Sequence, residues 1–236
     1  MRVEIWSDIN CPWCYVGKAR FEQALAAFPH REEVEVVHRS FELDPHAPRA
    51  ARPVLPLLAA KYGLSPEQAE AAEARIAENA RGEGLPYLSA GRDAANSFDM
   101  HRLLHFAKEH GRQLELLDAL YRANFAEERS AFDPARLVEL AVGAGLDGGA
   151  AAAVLADPQA YADAVREDEE TAAAMGATGV PFFVLDRRLG VSGAQPPETF
   201  TRALEQAWES RVPTALVALA EGGESCGPDG CELPQR

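Results

Sequence analysis

The sequence predicts an α/β protein in which a large, all-helical insertion interrupts a small mixed sheet. A strand–helix–strand pattern occupies residues 2–41, and strand character returns only from residue 181. Between about 53 and 175 the chain is rich in alanine and leucine and has no convincing strand. A helical block whose two ends lead into strands is best explained as an insertion, because the flanking strands need one another to build a sheet with a buried face.

The first unit has a β-α-β pattern. Residues 2–7 alternate polar and apolar side chains and are rich in β-branched and aromatic types, which predicts a strand. Pro12 favours a helix start, because its missing N–H would have no partner in the first turn. Apolar residues then recur at helical spacing as far as Phe28. Residues 33–41 predict a second strand, parallel to the first because a helix connects them.

The middle segment carries helix start and stop signals. Ser65 and Asp133 each precede a proline and can cap a helix N-terminus. Gly63, Gly111 and Gly145 stand where helix C-termini are expected. Helices are predicted over residues 53–62, 66–81, 97–109, 113–127, 134–143, 148–155 and 159–175.

The last part of the chain returns to the sheet. Residues 181–185 and 189–191 predict two strands joined by a turn, and a helix follows from Pro197 to about Ser210. The tail from about residue 221 is rich in Gly, Glu and Pro, a composition typical of mobile segments. We therefore expect three parts: a sheet domain made of 1–43 and 176–212, a helical insertion domain of 44–175, and a tail of 213–236.

Charge and hydropathy argue against several functions. The 236 residues carry 23 basic and 37 acidic side chains, a net charge of −14, which disfavours binding to nucleic acid. No stretch is apolar over the length needed to span a bilayer. Residues 1–6 lack the apolar core of an export signal. We therefore expect a cytoplasmic protein with no nucleic-acid or membrane partner.

Four cysteines fall into two close pairs. Cys11 and Cys14 form a C-x-x-C motif near the start, and Cys226 and Cys231 form a C-x4-C motif near the end. Paired cysteines in a reducing compartment are more often redox-active or metal-binding than structural. A zinc site would need both pairs, and no spacing rule favours that combination. Redox chemistry is the leading hypothesis, with zinc binding and inert buried thiols as alternatives.

The position of Cys11 favours a reactive thiolate. It stands where a strand gives way to a helix, and the unpaired N–H groups at a helix start stabilise an anion. A thiolate, rather than a thiol, attacks disulfides. We expect Cys11 to be the exposed, attacking thiol with a lowered pKa. Cys14, about one helical turn later, is expected to be shielded and to resolve mixed disulfides.

The order of several motifs resembles a known family. Cys11-Pro12-Trp13-Cys14 after a strand, with Gly-Val-Pro-Phe-Phe at 179–183, resembles the DsbA-like branch of the thioredoxin superfamily, most closely its FrnE-like group. Residues 41–45, 96–103 and 192–196 also look like segments of that group. The resemblance covers about residues 1–210. It implies a thioredoxin fold with a helical insertion that performs thiol–disulfide exchange without a bound cofactor.

The resemblance also implies roles for single residues. Pro181 would follow a cis peptide bond beside the cysteine pair, leaving the backbone of Val180 open to an extended substrate strand. The alternative is a trans proline that opens an edge strand. Pro12 would support the active-site turn, and Trp13 would contact substrate or pack on the first turn of the helix. Relatives often have a buried carboxylate where this chain has Ile5.

The expected partners are proteins or small molecules that carry disulfides or thiols, and two rival functions remain open. A glutathione-dependent isomerase or transferase of the kappa-class type shares the implied fold, but its members typically have serine where Cys11 stands. A redox-regulated chaperone that binds without turnover is a third hypothesis. His101 and His105 have the i, i+4 spacing of helical metal ligands, although packed or solvated histidines are commoner.

The resemblance extends to the tail, since FrnE-like proteins carry an extra C-terminal cysteine pair. Between Cys226 and Cys231 lies Gly-Pro-Asp-Gly, a strong turn sequence that can bring two cysteines together locally. We expect a second redox pair that exchanges with Cys11 and Cys14. The alternative is a disulfide that only closes the tail and stabilises the chain little.

Overall fold

The computed structural model describes residues 1–211 and, in the tail, the backbone of residues 226–227 and 230–231. In chain order the elements are β1 (Arg2–Ser7), α1 (Pro12–Ala27), a 3-10 turn (Arg31–Glu33), β2 (Glu35–Ser40), β3 (Arg52–Pro53), α2 (Val54–Tyr62), α3 (Pro66–Gly82), β4 (Asp93–Ala94), α4 (Phe98–Glu109), α5 (Gln113–Ala126), α6 (Pro134–Gly143), α7 (Gly148–Ala156), α8 (Ala162–Ala174), β5 (Phe182–Leu185), β6 (Leu189–Ser192), α9 (Pro197–Glu209), β7 (Cys226–Gly227) and β8 (Gly230–Cys231).

The main sheet joins strands from the two ends of residues 1–211. Its order is β2-β1-β5-β6. The β1–β2 pair is parallel, as the strand–helix–strand pattern predicts, and the β1–β5 and β5–β6 pairs are antiparallel. Ile5 lies opposite His38 on one side and Phe183 on the other. The first strand is therefore central, and the loop that follows it opens at the middle of the sheet edge.

The helix signals of the middle segment are confirmed. The side chain of Ser65 accepts a hydrogen bond from the backbone N–H of Gln68, and Asp133 accepts one from Ala135. Gly63, at the end of α2, has a φ of 64°, a left-handed conformation that glycine adopts without steric cost. The seven predicted helices are present, with bounds that differ by a few residues.

Two details of the middle segment were not predicted. Arg52–Pro53 and Asp93–Ala94 form a two-residue antiparallel ladder, so the expectation of no strand there is wrong. Two residues are too short a stretch to show an alternating pattern. The last helix of the segment begins at Ala162 instead of 159, because Tyr161 takes a left-handed φ of 60° directly before it.

Helices cover both faces of the sheet. On one face α1 and α9 enclose an apolar cluster with the strands, whose largest members are Ile5, Phe21, Phe28, Phe183 and Phe200. On the other face Trp6 and Val184 pack against Ala172 of α8. A strand buried on both faces has a nearly continuous apolar sequence, as β5 does from Phe182 to Leu185.

A buried ionic network attaches α8 to the second face. Arg39 on β2 lies 2.7 Å from a carboxylate oxygen of Glu4 and 2.9 Å from one of Asp168. Asp168 also accepts a hydrogen bond from the backbone N–H of Ser40 at 2.9 Å. Burial raises the pKa of the Glu4 carboxyl, but Arg39 and Arg187 outweigh burial and leave that pKa below its usual value. Glu4 is thus fully engaged on the face away from Ile5.

A larger apolar cluster fills the helical segment and reaches the first turn of α1. It contains Cys11 and Cys14 together with side chains of α4 and α5, among them Met100, Leu103, Tyr121 and Phe125. In the part of the chain that the structure describes, no helix has an apolar run long enough to cross a bilayer.

Close packing between α1 and the loop before β5 yields a stability prediction. A Cβ added at Gly17 would lie 2.9 Å from Cγ of Pro181 and 3.3 Å from Cα of Ala194. Gly17→Ala should therefore lower the free energy of unfolding by about 1–3 kcal/mol, the usual cost of overpacking. Urea unfolding followed by circular dichroism measures this change.

Gly82 is the matched control, since it ends α3 and a Cβ there meets nothing within 4 Å. Gly82→Ala should leave the unfolding free energy unchanged or slightly higher. A Gly17→Ala protein as stable as the Gly82→Ala protein would contradict this prediction. It would show that the residues around Pro181 shift to accommodate the added methyl group at little cost in stability.

Candidate active site

The two cysteines of the C-x-x-C motif begin α1. Cys11 is the N-cap residue, with extended backbone angles of φ −88° and ψ 109°, and Pro12 occupies the first helical position. The carbonyl of Cys11 accepts hydrogen bonds from the N–H groups of Cys14 at 3.0 Å and Tyr15 at 3.4 Å. Both thiols are free. The Cys11 sulfur thus stands at the helix start, where unpaired N–H groups favour an anion.

The expectation that Cys11 is exposed is wrong. The exposed fraction is 4% for Cys11 and 1% for Cys14. Sγ of Cys11 lies 3.6 Å from the carbonyl oxygen of Val180, so the proline loop covers it. The sequence pattern places Cys11 at a helix start but carries no information about what packs over that start.

Cys14 has the electrostatics of a shielded thiol. Burial raises its pKa well above the ordinary thiol value, and the neighbouring Cys11 thiol and the charge of Asp8 raise it further. The backbone N–H of Asp8 acts in the opposite direction without offsetting burial. At neutral pH Cys14 is therefore protonated, and any reaction at its sulfur must first remove that proton.

The loop before β5 lies directly beside the cysteines. The peptide bond between Val180 and Pro181 is cis. Pro181 is buried, its carbonyl accepts a hydrogen bond from the N–H of Gly193 at 2.8 Å, and its ring faces Gly17 of α1. Trp13 is half-buried. The structure therefore brings Cys11, Trp13 and Val180 to one surface, with Cys14 beneath it.

The loop between β1 and α1 is fixed by hydrogen bonds from the helical segment. The side-chain amide of Asn124 on α5 donates to the carbonyl of Ile9 at 2.8 Å. The amide of Asn10 donates to the carbonyl of Ala95, also at 2.8 Å. The N–H of Cys11 itself donates to the carbonyl of Asp8 at 3.1 Å. These bonds hold the N-cap cysteine in place.

Sequence reasoning did not single out Asp8, whose carboxylate is buried beside the cysteines. The exposed fraction of Asp8 is 1%, and its two oxygens accept hydrogen bonds from the N–H groups of Asn10 at 3.1 Å and Leu43 at 2.8 Å. Nε2 of His101 lies 3.5 Å from Oδ1. Burial raises the pKa of Asp8, but His101 and the two N–H groups outweigh it and hold the pKa below its usual value.

The two histidines of α4 face carboxylates on different elements. His101 faces Asp8, whereas Nε2 of His105 lies 3.1 Å from Asp168 on α8 and 3.2 Å from Oγ of Ser40. Within residues 1–211 no cluster of three or more His, Cys, Asp or Glu side chains is arranged to hold a metal ion. The metal alternative for this histidine pair finds no support in that geometry.

A cavity of about 850 Å³ opens beside Cys11. The start of α1 and Val180 form one wall, with Asp8, Cys11, Pro12 and Trp13 contributing side chains. The opposite wall comes from the loop after β2, from α2 and from α3, and includes Leu43, Asp44, Ala47, Pro48, Leu57, Leu58, Lys61, Leu64, Ala72, Arg75 and Ile76. Its lining is mainly apolar with a few charges.

The tail cysteines can be placed only in part. The backbones of Cys226 and Cys231 lie opposite each other in the β7–β8 ladder. Their side chains, and residues 212–225, 228–229 and 232–236, lie outside the described residues. The predicted exchange between the tail and Cys11 therefore stays a prediction.

The sheet order and a cis-proline loop beside the start of α1 define a protein of the thioredoxin fold. A family model for the DsbA-like thioredoxin domain matches residues 2–205, and the chain belongs to that family. It is 64% identical to a probable DsbA oxidoreductase from Streptomyces coelicolor, over 100% of both chains, with a TM-score of 0.90.

Two more distant proteins share most of the chain. The uncharacterized protein YwbO of Bacillus subtilis is 28% identical over 205 residues, which are 86% of this chain and 96% of YwbO. A structure of the cytosolic disulfide reductase DsbM from Pseudomonas aeruginosa with GSH is 17% identical, covers 89% of this chain and 100% of its own, and has a TM-score of 0.62. At that identity the likeness is one of fold.

The difference between the two thiols can be measured by alkylation of the reduced protein. At neutral pH iodoacetamide should modify Cys11 well before Cys14, because Cys11 borders the cavity whereas Cys14 does not and has a raised pKa. The rate at Cys14 should keep rising with pH beyond the ordinary thiol pKa of about 8.5, where the rate for an unfolded thiol levels off. Mass spectrometry of the peptide that contains both residues gives the two rates.

The urea-unfolded protein is the control, since both thiols should then react at similar rates. Modification of Cys14 first, or at the same rate as Cys11 in the folded protein, would reverse the assignment of the attacking thiol.

Proposed function

We propose that this chain is a thiol–disulfide oxidoreductase of the FrnE-like type, in which Cys11 and Cys14 cycle between dithiol and disulfide. One observation carries the proposal: the Cys11 sulfur stands at a helix start, beside Val180 and a large cavity, with a second free thiol on the next turn. A helix start lowers the free energy of a thiolate there, and the nearby second sulfur can close on it.

The reduction of a substrate disulfide proceeds in two exchanges. The Cys11 thiolate attacks one substrate sulfur, which forms a Cys11–substrate disulfide and releases the other substrate sulfur as a thiolate that takes up a proton. Cys14 then loses its proton and attacks the Cys11 sulfur. The Cys11–Cys14 bond forms and the second substrate thiol leaves. Two electrons and two protons pass to the substrate, and the reverse sequence oxidises a dithiol.

The substrates we propose are disulfide- or dithiol-bearing proteins and small thiols. Val180 would offer its backbone to an extended segment beside Cys11, Trp13 would contact that segment, and Pro12 would support the turn. The mainly apolar cavity has room for side chains next to the reacting sulfur. We assign this activity to the cytoplasm without a bound cofactor, and the net charge of −14 argues against a nucleic-acid partner.

The second cysteine distinguishes this proposal from its closest rival. A kappa-class type of isomerase or transferase would activate glutathione at a single position and would have no use for a resolving thiol. Here the N–H of Cys14 donates to the carbonyl of Cys11 at 3.0 Å, so the two residues stand one helical turn apart. A dithiol cycle uses that arrangement directly.

Replacement of each cysteine tests the proposal in opposite ways. With both tail cysteines replaced by serine, Cys11→Ser should abolish the reduction of insulin disulfides, because the remaining thiol, Cys14, is buried and has a raised pKa. Cys14→Ser should instead accumulate a Cys11–substrate disulfide, because attack remains and release is lost. Mass spectrometry identifies that adduct, and a Cys11→Ser protein with wild-type turnover would refute the proposal.

We further propose that Cys226 and Cys231 form a second redox pair that regenerates the first. Support comes from the β7–β8 ladder, in which the two backbones lie opposite each other, and from the Gly-Pro-Asp-Gly turn between them. A pair closed by a local turn can form a disulfide without the rest of the fold.

A double variant with both tail cysteines replaced by serine should recycle more slowly while keeping the first exchange intact. In a Cys14→Ser background, a mixed disulfide between Cys11 and a tail cysteine should be trapped after oxidation. Unchanged turnover in the double variant, with no such crosslink, would leave the tail pair structural.

A further inference from the structure

We propose that Asp8 and His101 are the proton-accepting pair that ionises Cys14 for its attack on the Cys11 mixed disulfide. This inference rests on the proposed dithiol cycle and adds the group that moves the proton within it. The pair is drawn from two parts of the chain: Asp8 lies in the loop after β1, and His101 lies on α4 of the helical segment.

The geometry of His101 calls for an explanation. Its exposed fraction is 1%, and among the described residues neither ring nitrogen has a hydrogen-bond partner. Nε2 stands 3.5 Å from Oδ1 of Asp8, at ion-pair distance, while Asp8 already accepts two backbone hydrogen bonds. A buried imidazole that makes no hydrogen bond is costly, and a catalytic role is one explanation for keeping such a group.

Cys14 needs a proton acceptor in its immediate surroundings. Its thiol is buried with a raised pKa, so only a small fraction is ionised at neutral pH. Asp8 adjoins the cysteine turn, since its carbonyl accepts a hydrogen bond from the N–H of Cys11 at 3.1 Å, and its charge raises the pKa of the Cys14 thiol. Ile5 packs in the apolar cluster under α1, and Glu4 is held by Arg39 on the opposite face, so neither serves Cys14.

The charges around Asp8 and His101 favour transfer of the Cys14 proton to this pair. The titratable groups whose charges act on the pair are Cys14 of α1, Tyr121 of α5 and Glu42 of the loop after β2, and Cys11 shares the cavity wall with Asp8. Glu42 is itself paired with Arg166 at 2.7 Å. The charge of the Asp8 carboxylate opposes a thiolate next to it. Movement of the Cys14 proton through Asp8 to His101 forms the thiolate and an aspartate–imidazolium pair with no change in net charge.

The proton has a route back to the leaving group. Asp8 and Cys11 both line the cavity beside the start of α1, and in the proposed cycle the substrate sulfur departs into that cavity. When the second substrate sulfur leaves as a thiolate, the proton held by the pair returns to it. In the oxidising direction the same proton moves from the entering substrate thiol to the pair and then to Cys14.

A two-phase reaction with dithiobis(nitrobenzoate) isolates this step. Full-length protein with both tail cysteines replaced by serine is reduced and mixed with the reagent. The attack of Cys11 releases the first nitrothiolate, and the attack of Cys14 on the resulting mixed disulfide releases the second. Stopped-flow absorbance resolves the two phases as a function of pH.

Asp8→Asn and His101→Gln should each slow the second phase by about a hundredfold at neutral pH, a typical loss for a general base. The first phase should stay near the wild-type rate. The lost rate should return as pH rises, because hydroxide replaces the missing acceptor. His105→Gln is the matched control: His105 also lies on α4 and faces a buried carboxylate, Asp168, so both of its phases should match the wild type.

Three results would overturn the inference. A faster second phase in Asp8→Asn would mean that the carboxylate only repels the Cys14 thiolate. An unchanged second phase in both variants would mean that Cys14 loses its proton elsewhere. A slow second phase with the wild-type pH profile would assign the pair a structural role. Failure of the proposed dithiol cycle looks different, since the wild type would then show no second release.

Discussion

The arrangement of the candidate site depends on how the loop between β1 and α1 is held. That loop leaves the centre of the sheet, and the helical segment fixes two of its residues: Asn124 binds the carbonyl of Ile9, and Asn10 binds that of Ala95. The Asp8 carboxylate ties the loop to the chain after β2 through the N–H of Leu43. Without these bonds the N-cap position of Cys11 would have a choice of conformations, since its own side chain makes no capping bond.

The same contacts shield Cys14 and Asp8 from solvent. Cys14 and Asp8 are each 1% exposed, and in such surroundings a charge interacts more strongly with its neighbours than it does in water. The two thiols therefore differ in reactivity. Cys11 borders the cavity, whereas Cys14 must pass its proton to another group before it can react. The helical segment thus buries Cys14 and also supplies polar groups to the site, because α4 brings His101 to the loop and α5 brings Tyr121.

Much of the fold could be predicted from local patterns, whereas the pairing of distant groups could not. Strand alternation, first-turn prolines and C-terminal glycines located the helices, and the helical crossover required the parallel β1–β2 pair. Asp168 belongs to a charged run, residues 166–170, of the kind typical of a solvated helix face, yet it is buried because Arg39, Ser40 and His105 converge on it from other elements. The contact between Asp8 and His101 has no local signature for the same reason, and the cover over Cys11 comes from a loop far along the chain.

The central claim is that Cys11 and Cys14 exchange electrons as one dithiol couple, and a redox titration tests it most directly. The variant with both tail cysteines replaced by serine is equilibrated with mixtures of reduced and oxidised glutathione, quenched, and its free thiols are mass-tagged. The account predicts a single two-electron transition in which both thiols disappear together into a Cys11–Cys14 disulfide. A stable Cys11–glutathione adduct beside a free Cys14 at every ratio would contradict it and would favour a single-thiol glutathione chemistry.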